Sequence, residues 1–162
     1  MCDDQHMRPH SGRWLEELTP GTVIQHAIRR TITEADNVLF TSITMNPAWL
    51  HLDFDYAENE TSFGKPLVNS MLTVAMVVGI SVHETTLGTT VANLGFSEVA
   101  FPAPLFHGDT IHVETEVRDA RESKSRPGQG VVTFEHRAFN QHDQLACRAV
   151  RQALMLSRPD SE

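Results

Sequence analysis

Residues Met71 to Val82 read MLTVAMVVGISV, a run of twelve positions without a charged side chain. On a helix these apolar residues occupy every face, and a helix that is apolar all round must be covered by other elements. The run is too short to cross a membrane, which takes about 18 to 20 apolar residues. We therefore predict a buried central helix from Pro66 to about Glu84, with Pro66 in its first turn.

Strand patterns follow this helix through most of the remaining sequence. Residues 110–118 alternate between apolar or β-branched side chains and polar or charged ones, which is typical of a half-buried strand. Turn residues at 126–130 and 140–143 separate further runs of this kind. The other predicted strands after the helix are Val91–Phe101, Gly130–Phe139 and Leu145–Leu156.

The sequence before the central helix predicts one strand and one shorter helix. Residues 22–32 are rich in β-branched side chains and favour a strand. Thr33 is the predicted N-cap of a helix whose apolar side is formed by Val38, Leu39 and Ile43. Pro47 ends that helix near residue 46. Residues 46–64 are irregular and polar, with one short helix around 53–58.

A single apolar helix followed by an antiparallel meander predicts an α+β fold of the hot-dog kind. In that fold an antiparallel sheet wraps around one long central helix. The length of 162 residues fits a single domain. We assign residues 13–156 to this domain and predict a disordered tail at 1–12 and a C-terminal tail at 157–162.

Charge and cysteine content narrow the classes of function. The chain has 13 Lys and Arg against 21 Asp and Glu, a formal net charge of −8, which argues against nucleic-acid binding. The first ten residues, MCDDQHMRPH, contain no apolar signal-peptide segment. The only cysteines, Cys2 and Cys147, form no disulfide framework. We predict a cytoplasmic protein that binds neither nucleic acid nor membrane.

Metal-binding patterns are weak in this sequence. There is no HExxH motif and no pair of closely spaced cysteines. Asp53 and Asp55 resemble the start of a calcium loop, but the glycine and the glutamate that such a loop needs are missing. We predict no metal site.

His51 is the histidine whose setting best suits catalysis. It lies in TMNPAWLHLD (residues 44–53), an irregular loop between two predicted helices. Because Pro47 breaks the helix, the loop can curl so that Asn46 and His51 face one cavity. Alternatively, Asn46 caps a helix end and His51 bonds to loop backbone. The ordinary pKa of a histidine, about 6.5, allows it to act as acid and base near neutral pH.

A basic cluster stands out on this acidic chain. Within RDARESKSRPGQG (residues 118–130) the cations are Arg118, Arg121, Lys124 and Arg126. One interpretation is the solvated end of a hairpin. The other is a local anchor for a phosphorylated small ligand, which needs positive charge that the rest of the chain does not supply.

The segment ITEADNVLFTSITMNPAWLHLD (residues 32–53) resembles the signature of MaoC-type (R)-specific enoyl-CoA hydratases. That family carries a catalytic Asp and a catalytic His in the pattern D-x-N-P-x-H. Aligned without gaps, the family's histidine falls on His51 and its aspartate on Asn46. Its Asn and Pro fall on Ala48 and Trp49. In this chain the acid is thus an amide, and the Asn-Pro pair stands two residues earlier.

The resemblance extends over about residues 20–156. FGKPLVNSMLT (63–73) is similar to the start of the family's central helix, where a glycine commonly stands at Ser70, and FPAPLFHGDTIHVETEV (101–117) matches a strand entry with a Gly-Asp turn. RESKSRPGQG and EHRAFNQ resemble a subgroup that acts on dicarboxylic acyl-CoAs such as mesaconyl-CoA, methylmalyl-CoA or itaconyl-CoA. In that subgroup an Asn at the acid position and a threonine two residues before it, here Thr44, are familiar.

The resemblance implies a hydro-lyase that interconverts an enoyl-CoA and a 3-hydroxyacyl-CoA, with a dicarboxylic substrate of four or five acyl carbons. His51 is then the acid–base residue, and the backbone N–H of Ser70 stabilises the enolate oxygen. Asn46 cannot take a proton and orients the water or the thioester. Either His51 carries all the proton transfer, or another acid such as Asp53 assists.

The resemblance also implies the ligand contacts. Coenzyme A enters as part of the substrate, with no separate cofactor, and its phosphates bind Arg121, Lys124 and Arg126. Thr44 is a further substrate contact. Candidates for binding the distal carboxylate are Lys65, Arg137 and Arg30. A homodimer or higher homo-oligomer is expected, since a single hot-dog sheet leaves an edge strand uncovered.

Two other functions share this fold. A hot-dog thioesterase commonly uses a carboxylate near the start of the central helix, and residues 65–73 contain none. A non-catalytic acyl-CoA-binding subunit is the other alternative, because Asn46 replaces the catalytic acid. Loss of the enoyl absorbance without release of free coenzyme A distinguishes hydration from both.

Overall fold

The structure is a computed structural model that describes residues 10–159. Five strands form one antiparallel sheet in the order β1-β3-β4-β5-β2. Their bounds are β1 Val23–Thr31, β2 Thr90–Ala100, β3 Thr110–Glu122, β4 Gln129–Phe139 and β5 Leu145–Leu156. All five predicted strands are present, and β5 has the predicted ends.

Four α-helices and one short 3-10 helix accompany the sheet. The helices are α1 Glu34–Ile43, α2 Trp49–Leu52, α3 Phe54–Asn59 and α4 Ser70–Thr85, and the 3-10 turn is Leu15–Glu17. The predicted N-cap is confirmed: Thr33 Oγ1 accepts from the Asp36 N–H, and the Asp36 carboxylate accepts from the Thr33 N–H. The sheet packs against α4, and this α+β arrangement is the hot-dog fold.

The central helix begins at Ser70, whereas the sequence predicted a start at Pro66. Leu67 forms an isolated antiparallel bridge with Phe106, and the Val68 N–H donates to the Leu105 carbonyl at 2.8 Å. The Asn69 side chain then accepts from the Met71 N–H at 3.0 Å. The residues before Ser70 pair as a short extended segment, and asparagine, a strong N-cap residue, sets the start of the helix.

Only one side of α4 is covered, whereas the sequence predicted a helix wrapped all round. Leu72, Val77 and Ile80 are buried against the concave face of the sheet. Met71, on another side of the helix, is 53% exposed. Strand β2 is exposed along nearly its whole length, because it stands at the edge of the sheet and little covers it. Within residues 10–159 the fold therefore leaves an apolar surface open beside α4.

Helix α1 is turned opposite to the prediction. The predicted apolar side should face inward, yet Leu39 and Ile43 are 63% and 68% exposed. The fully buried side chains of α1 are Asn37 and Thr41. Buried polar groups need hydrogen-bond partners, and the partners of Asn37 lie in the candidate site.

A row of polar side chains crosses the core between two apolar clusters. Arg151 Nε donates to His136 Nε2 at 2.8 Å, and the Thr115 hydroxyl lies 2.7 Å from both His136 Nδ1 and His26 Nε2. His26 Nδ1 reaches the Glu84 carboxylate at 2.5 Å. Because a guanidinium only donates and a carboxylate only accepts, Arg151 donates to His136 at one end of this row and His26 donates to Glu84 at the other.

The packed part of the chain begins earlier than the predicted domain start at residue 13. Residues 1–9 of the predicted tail and residues 160–162 at the other end lie outside the described residues. Gly12, however, donates its N–H to the Leu87 carbonyl, and the Ser11 hydroxyl bonds to the His83 carbonyl. At the other end, the Ser157 N–H donates to Gly128.

Candidate active site

His51 lies on α2 and is held by backbone. Its Nδ1 is 2.8 Å from the carbonyl oxygen of Leu67. A carbonyl can only accept a hydrogen bond, so Nδ1 carries a proton, and in the neutral ring Nε2 is the nitrogen with the lone pair. The Leu67 N–H in turn donates to the Leu50 carbonyl at 3.1 Å, which ties α2 to the segment that leads into α4. The arrangement leaves one imidazole nitrogen able to accept a proton.

Asn37 is a site residue that the sequence interpretation missed. It is fully buried, and its Nδ2 donates both to the Leu67 carbonyl at 3.1 Å and to His107 Nε2 at 3.0 Å. Its Oδ1 accepts from the Asn69 N–H at 2.8 Å. The Leu67 carbonyl therefore receives hydrogen bonds from both Asn37 and His51.

His107 was also missed. It stands beside Asn37 and packs its ring at 5.8 Å from that of Phe54. Burial lowers the pKa of His107, while the nearby Glu34 carboxylate raises it by less. A neutral His107 accepts from Asn37 at Nε2, which agrees with this direction. For Asn37 the sequence does contain a signal: Asn37 and Thr41 are polar and four positions apart, so they share one side of α1. His107 has no comparable signal.

Ser70 is the first residue of α4 and lines a cavity of about 220 Å³. The cavity is otherwise mostly apolar, and its lining includes Phe63, Leu67, Val68, Phe101 and Leu105. Asn69 caps the N–H of Met71 and not that of Ser70. The Ser70 N–H has no acceptor within residues 10–159 and stands at the positive end of the α4 dipole. This is the predicted position of an oxyanion donor.

Asn46 and Thr44 lie in the turn that follows α1. Asn46 Oδ1 accepts from the Ala48 N–H at 3.0 Å, which closes the turn around Pro47. Its Nδ2 donates to no group among the described residues, so that N–H₂ is available to a ligand. The Thr44 hydroxyl donates to the Phe40 carbonyl at 2.9 Å and is exposed. Asn46 thus forms an Asx turn and not the helix cap that was the alternative interpretation, since the N-cap of α2 is Ala48, and one end of its amide stays open.

The predicted phosphate contacts Arg121, Lys124 and Arg126 lie far from His51 in the same chain. All three are exposed at the β3–β4 hairpin and form no salt bridge within the described part of the chain. Arg118, by contrast, pairs with Glu116 and Glu135. Strand β3 begins next to His107 and ends at this hairpin, a separation of roughly 35 Å at ~3.3 Å per residue. One chain does not bring the cluster to its own cavity.

The three candidates for the distal carboxylate differ in their surroundings. Arg30 pairs with Asp36, and Arg137 pairs with three glutamates, Glu114, Glu116 and Glu135. Lys65 forms no salt bridge among the described residues. Its Nζ lies 4.1 Å from the centre of the Phe106 ring, which is 6.2 Å from the ring of the cavity residue Phe63.

Asp53, the predicted assisting acid, is used locally. Its carboxylate caps α3 by accepting from the Tyr56 N–H at 3.0 Å. No group of three or more His, Cys, Asp or Glu side chains is placed to hold a metal within residues 10–159. In the same part of the chain no helix has the length and apolar character needed to span a membrane. Cys147 is free and buried, and burial raises the pKa of its thiol to about 11.

Comparison with known proteins defines the class. Residues 16–138 match the family described as MaoC like domain. A MaoC-like dehydratase structure from Rhodospirillum rubrum superposes with a TM-score of 0.78 at 28% identity, covering 92% of this chain and 100% of that chain. The chain belongs to the MaoC-like dehydratase domain family.

Two longer proteins are similar over nearly the whole chain. Mesaconyl-CoA hydratase of Cereibacter sphaeroides is 29% identical over 154 residues, which cover 94% of this chain and 43% of the relative. Beta-methylmalyl-CoA dehydratase of Chloroflexus aurantiacus is 28% identical over 151 residues, covering 93% and 42% respectively. This chain thus spans less than half the length of either relative.

Proposed function

We propose that this chain catalyses the reversible hydration of an enoyl-CoA thioester to a 3-hydroxyacyl-CoA. The observation that carries the proposal is the fixed tautomer of His51, whose Nδ1 donates to Leu67 while Nε2 remains a base. Three residues after Leu67, Ser70 lines the cavity at the start of α4; Leu67 lines the same cavity, and His51 lies behind Leu67 and is not one of its lining residues. A base and an oxyanion donor on two sides of one short segment suit addition of water to a conjugated thioester.

The proposed reaction uses His51 for both proton transfers. Nε2 of His51 takes a proton from water as the oxygen bonds to the β-carbon, and the electron pair of the double bond moves onto the thioester oxygen. The Ser70 N–H stabilises that enolate. The imidazolium then returns the proton to the α-carbon, so one water is added across the double bond. Asn46 offers its Nδ2 to orient the water or the thioester.

The proposed substrate carries a second carboxylate. The names of the two long relatives, mesaconyl-CoA hydratase and beta-methylmalyl-CoA dehydratase, support this class. Of the candidate cations, Lys65 is the one that is near the cavity and lacks a carboxylate partner within the described residues. We therefore assign the distal carboxylate to Lys65 within this proposal.

A homodimer formed through β2 is part of the proposal. This edge strand has one neighbour in the sheet, β5, and exposes the apolar side chains of Val91, Leu94, Phe96 and Val99. A second copy of the chain would cover them and continue the sheet. Phe96→Glu is expected to give a monomer by light scattering at micromolar concentration, whereas Ile43→Glu, on the exposed side of α1, should leave a dimer. A monomeric parent chain would contradict the proposal.

Such a dimer explains the distant basic cluster. Along β2, Thr90 lies beside Met155 at the hairpin end of the sheet, and Ala100 lies beside Arg148 near the cavity. Antiparallel pairing of two β2 strands about a two-fold axis brings the Thr90 end of one copy to the Ala100 end of the other. The partner's β3–β4 hairpin then stands at the cavity end of this chain, three to four strand positions from β2, or roughly 15–20 Å. We therefore assign coenzyme A binding to Arg121, Lys124 and Arg126 of the second copy.

The test is a panel of four- and five-carbon acyl-CoAs incubated with the purified chain and analysed by mass spectrometry. We expect a mass gain of one water on an enoyl-CoA, loss of its absorbance and no free thiol. Release of coenzyme A would indicate a thioesterase. Binding without any change in mass would indicate the non-catalytic alternative.

A further inference from the structure

The candidate site contains a buried hub that no catalytic role uses. Asn37 is fully buried in α1 and touches three separate parts of the site. Its Nδ2 donates to the Leu67 carbonyl and to His107 Nε2, and its Oδ1 accepts from the Asn69 N–H. All the hydrogen-bonding capacity of the Nδ2 group is thus occupied, and a buried amide that is satisfied in this way has one fixed orientation.

The first link of this hub acts on the base. The Leu67 carbonyl oxygen has two lone pairs, and it receives one hydrogen bond from Asn37 and one from His51. The bond from Asn37 fixes the direction of the carbonyl, and the carbonyl fixes the protonated nitrogen of His51. The Val68 N–H of the same peptide group donates to the Leu105 carbonyl, so Asn37 holds the carbonyl end only. Without Asn37, this carbonyl would tilt and hold His51 less firmly, and His51 would exchange between its two tautomers.

The second link acts on the oxyanion donor. Because Asn37 Oδ1 holds the Asn69 N–H, the residue that caps α4 has a fixed backbone position. The Asn69 side chain bonds on one side to Thr41 and on the other to the Met71 N–H. Ser70, between Asn69 and Met71, is therefore held in place at the start of α4, where it lines the cavity.

We infer that Asn37 is a positioning residue that fixes the His51 tautomer and the start of α4 at the same time. This inference rests on the proposed function, because it assumes that His51 and the Ser70 N–H act on substrate. Asn37 touches neither substrate nor water in this role. It acts through Leu67 and Asn69.

Asn37→Asp tests the inference because it changes one end of the side chain. The Oδ1 acceptor for Asn69 stays, but a second oxygen replaces Nδ2 and faces the Leu67 carbonyl and His107 Nε2. Two oxygens repel, so the Leu67 carbonyl should tilt away from the new carboxylate, while His107 should take a proton to bond it. Asn140→Asp is the matched control. Asn140 is also buried, and its Oδ1 holds backbone N–H groups in the β4–β5 hairpin.

Kinetics should separate positioning from stability. For Asn37→Asp we expect kcat to fall by about 10-fold or more while KM changes by less than about 3-fold. The pH at which kcat falls on the acid side should move upward, because a buried carboxylate favours the imidazolium. Asn140→Asp should move neither quantity. If Asn37→Asp leaves the pH profile and kcat as they are, or if both variants lower kcat equally, the inference is wrong.

An independent readout does not depend on activity. In ¹⁵N-labelled protein, long-range ¹H–¹⁵N correlation should show His51 as the Nδ1–H tautomer in the parent chain, and in Asn37→Asp it should show mixed tautomers of His51 and a protonated His107. If the parent chain hydrates no enoyl-CoA but Asn37→Asp still changes the tautomers, the proposed function is wrong and the positioning role of Asn37 stands. If the spectra of Asn37→Asp and the parent chain are the same, Asn37 does not fix the His51 tautomer. Should Asn37→Asp not fold, Asn37→Ala removes the same donor, and loss of the single His51 tautomer is again the expected result.

Discussion

The Nδ1 atom of His51 lies 2.8 Å from the carbonyl oxygen of Leu67, and the same carbonyl accepts from Asn37. One peptide group thus fixes the protonation pattern of the proposed base. A backbone carbonyl cannot take the proton from the imidazole, so it orients the His51 ring without becoming a second acid. This matters because the alignment without gaps puts the family's acidic residue at Asn46, and an amide cannot act as an acid or a base.

Asn46 is expected to stabilise the turn through its Oδ1 and to contact the water or the thioester through its Nδ2. Asn46→Ala removes the acceptor for the Ala48 N–H and should cost about 1 kcal/mol in unfolding free energy. It should also lower kcat, because the free Nδ2 is lost. Asn46→Asp keeps the turn and should retain stability, and the parent pH profile should show one main limb from a histidine. Thermal melts and turnover of both variants check this. If Asn46→Ala is as active as the parent, Asn46 does not act on substrate.

The basic cluster is expected to act across the dimer. Neutralising Arg121, Lys124 and Arg126 to Gln should raise KM for a coenzyme A thioester but not for a pantetheine thioester, which lacks the nucleotide phosphates. Arg29→Gln, an exposed arginine without a carboxylate partner in the described residues, is the control. Equal losses for both substrates would contradict the assignment to coenzyme A.

Mixed dimers show which copy supplies the cluster. A His51→Ala chain paired with a cluster-neutralised chain should contain one fully competent site, since the intact His51 and the intact cluster then face each other across the interface. If the cluster served its own chain, this mixed dimer would contain no competent site. Absence of complementation would therefore contradict the trans arrangement.

The fold stability should fall as the pH drops below about 6.5. Burial lowers the pKa of His136 well below its usual value, and the nearby Arg151 and His26 lower it further. The unfolded chain then binds a proton that the folded chain does not bind, so the free energy of unfolding decreases as the pH falls below the ordinary histidine pKa. One such proton gives a slope of at most about 1.4 kcal/mol per pH unit. Chemical denaturation between pH 7 and 5 should show a flatter dependence for His136→Gln than for the exposed control His142→Gln.

Met45 is expected to store backbone strain. Its φ of 53° lies in the left-handed region, which is rare for a residue with a side chain, and it follows directly after the C-cap of α1. Met45→Gly should therefore raise the unfolding free energy by about 0.5–1 kcal/mol. Ser42→Gly, inside the same helix, should lower it by a similar amount. A loss of stability in Met45→Gly would show that the side chain contributes more than the strain costs.

The strands of the sheet and the presence of one central apolar helix were predictable because period-2 alternation and an uninterrupted apolar run are local signals. The Thr33 cap is equally local. The start of α4 was not predictable, because Leu67 and Val68 pair with residues 106 and 105, which are far away in sequence. The exposure of Met71 and of β2 also escaped prediction, since an apolar pattern does not tell whether the covering surface belongs to the same chain.

The sequence predicts site roles for His51 and Ser70, which stay predictions, and the sequence interpretation missed Asn37. The apolar residues of α1 suggested that Leu39 faces inward, but the buried position is Asn37, four residues before the buried Thr41. A buried polar residue is costly unless it is paired, so a hydrophobicity pattern assigns it to the surface. Its partners, a carbonyl at 67 and a backbone N–H at 69, come together only in the folded chain.

The central claim is that His51 moves the proton during hydration of an enoyl-CoA. The most direct measurement is the rate of enoyl absorbance loss with mesaconyl-CoA for the parent chain, for His51→Ala and for His142→Ala as the control on an exposed histidine. We predict that His51→Ala folds as the parent does, with a similar melting temperature, and loses a factor on the order of 100 or more in kcat, while His142→Ala is unchanged. A folded His51→Ala chain that hydrates the substrate at nearly the parent rate would contradict the account.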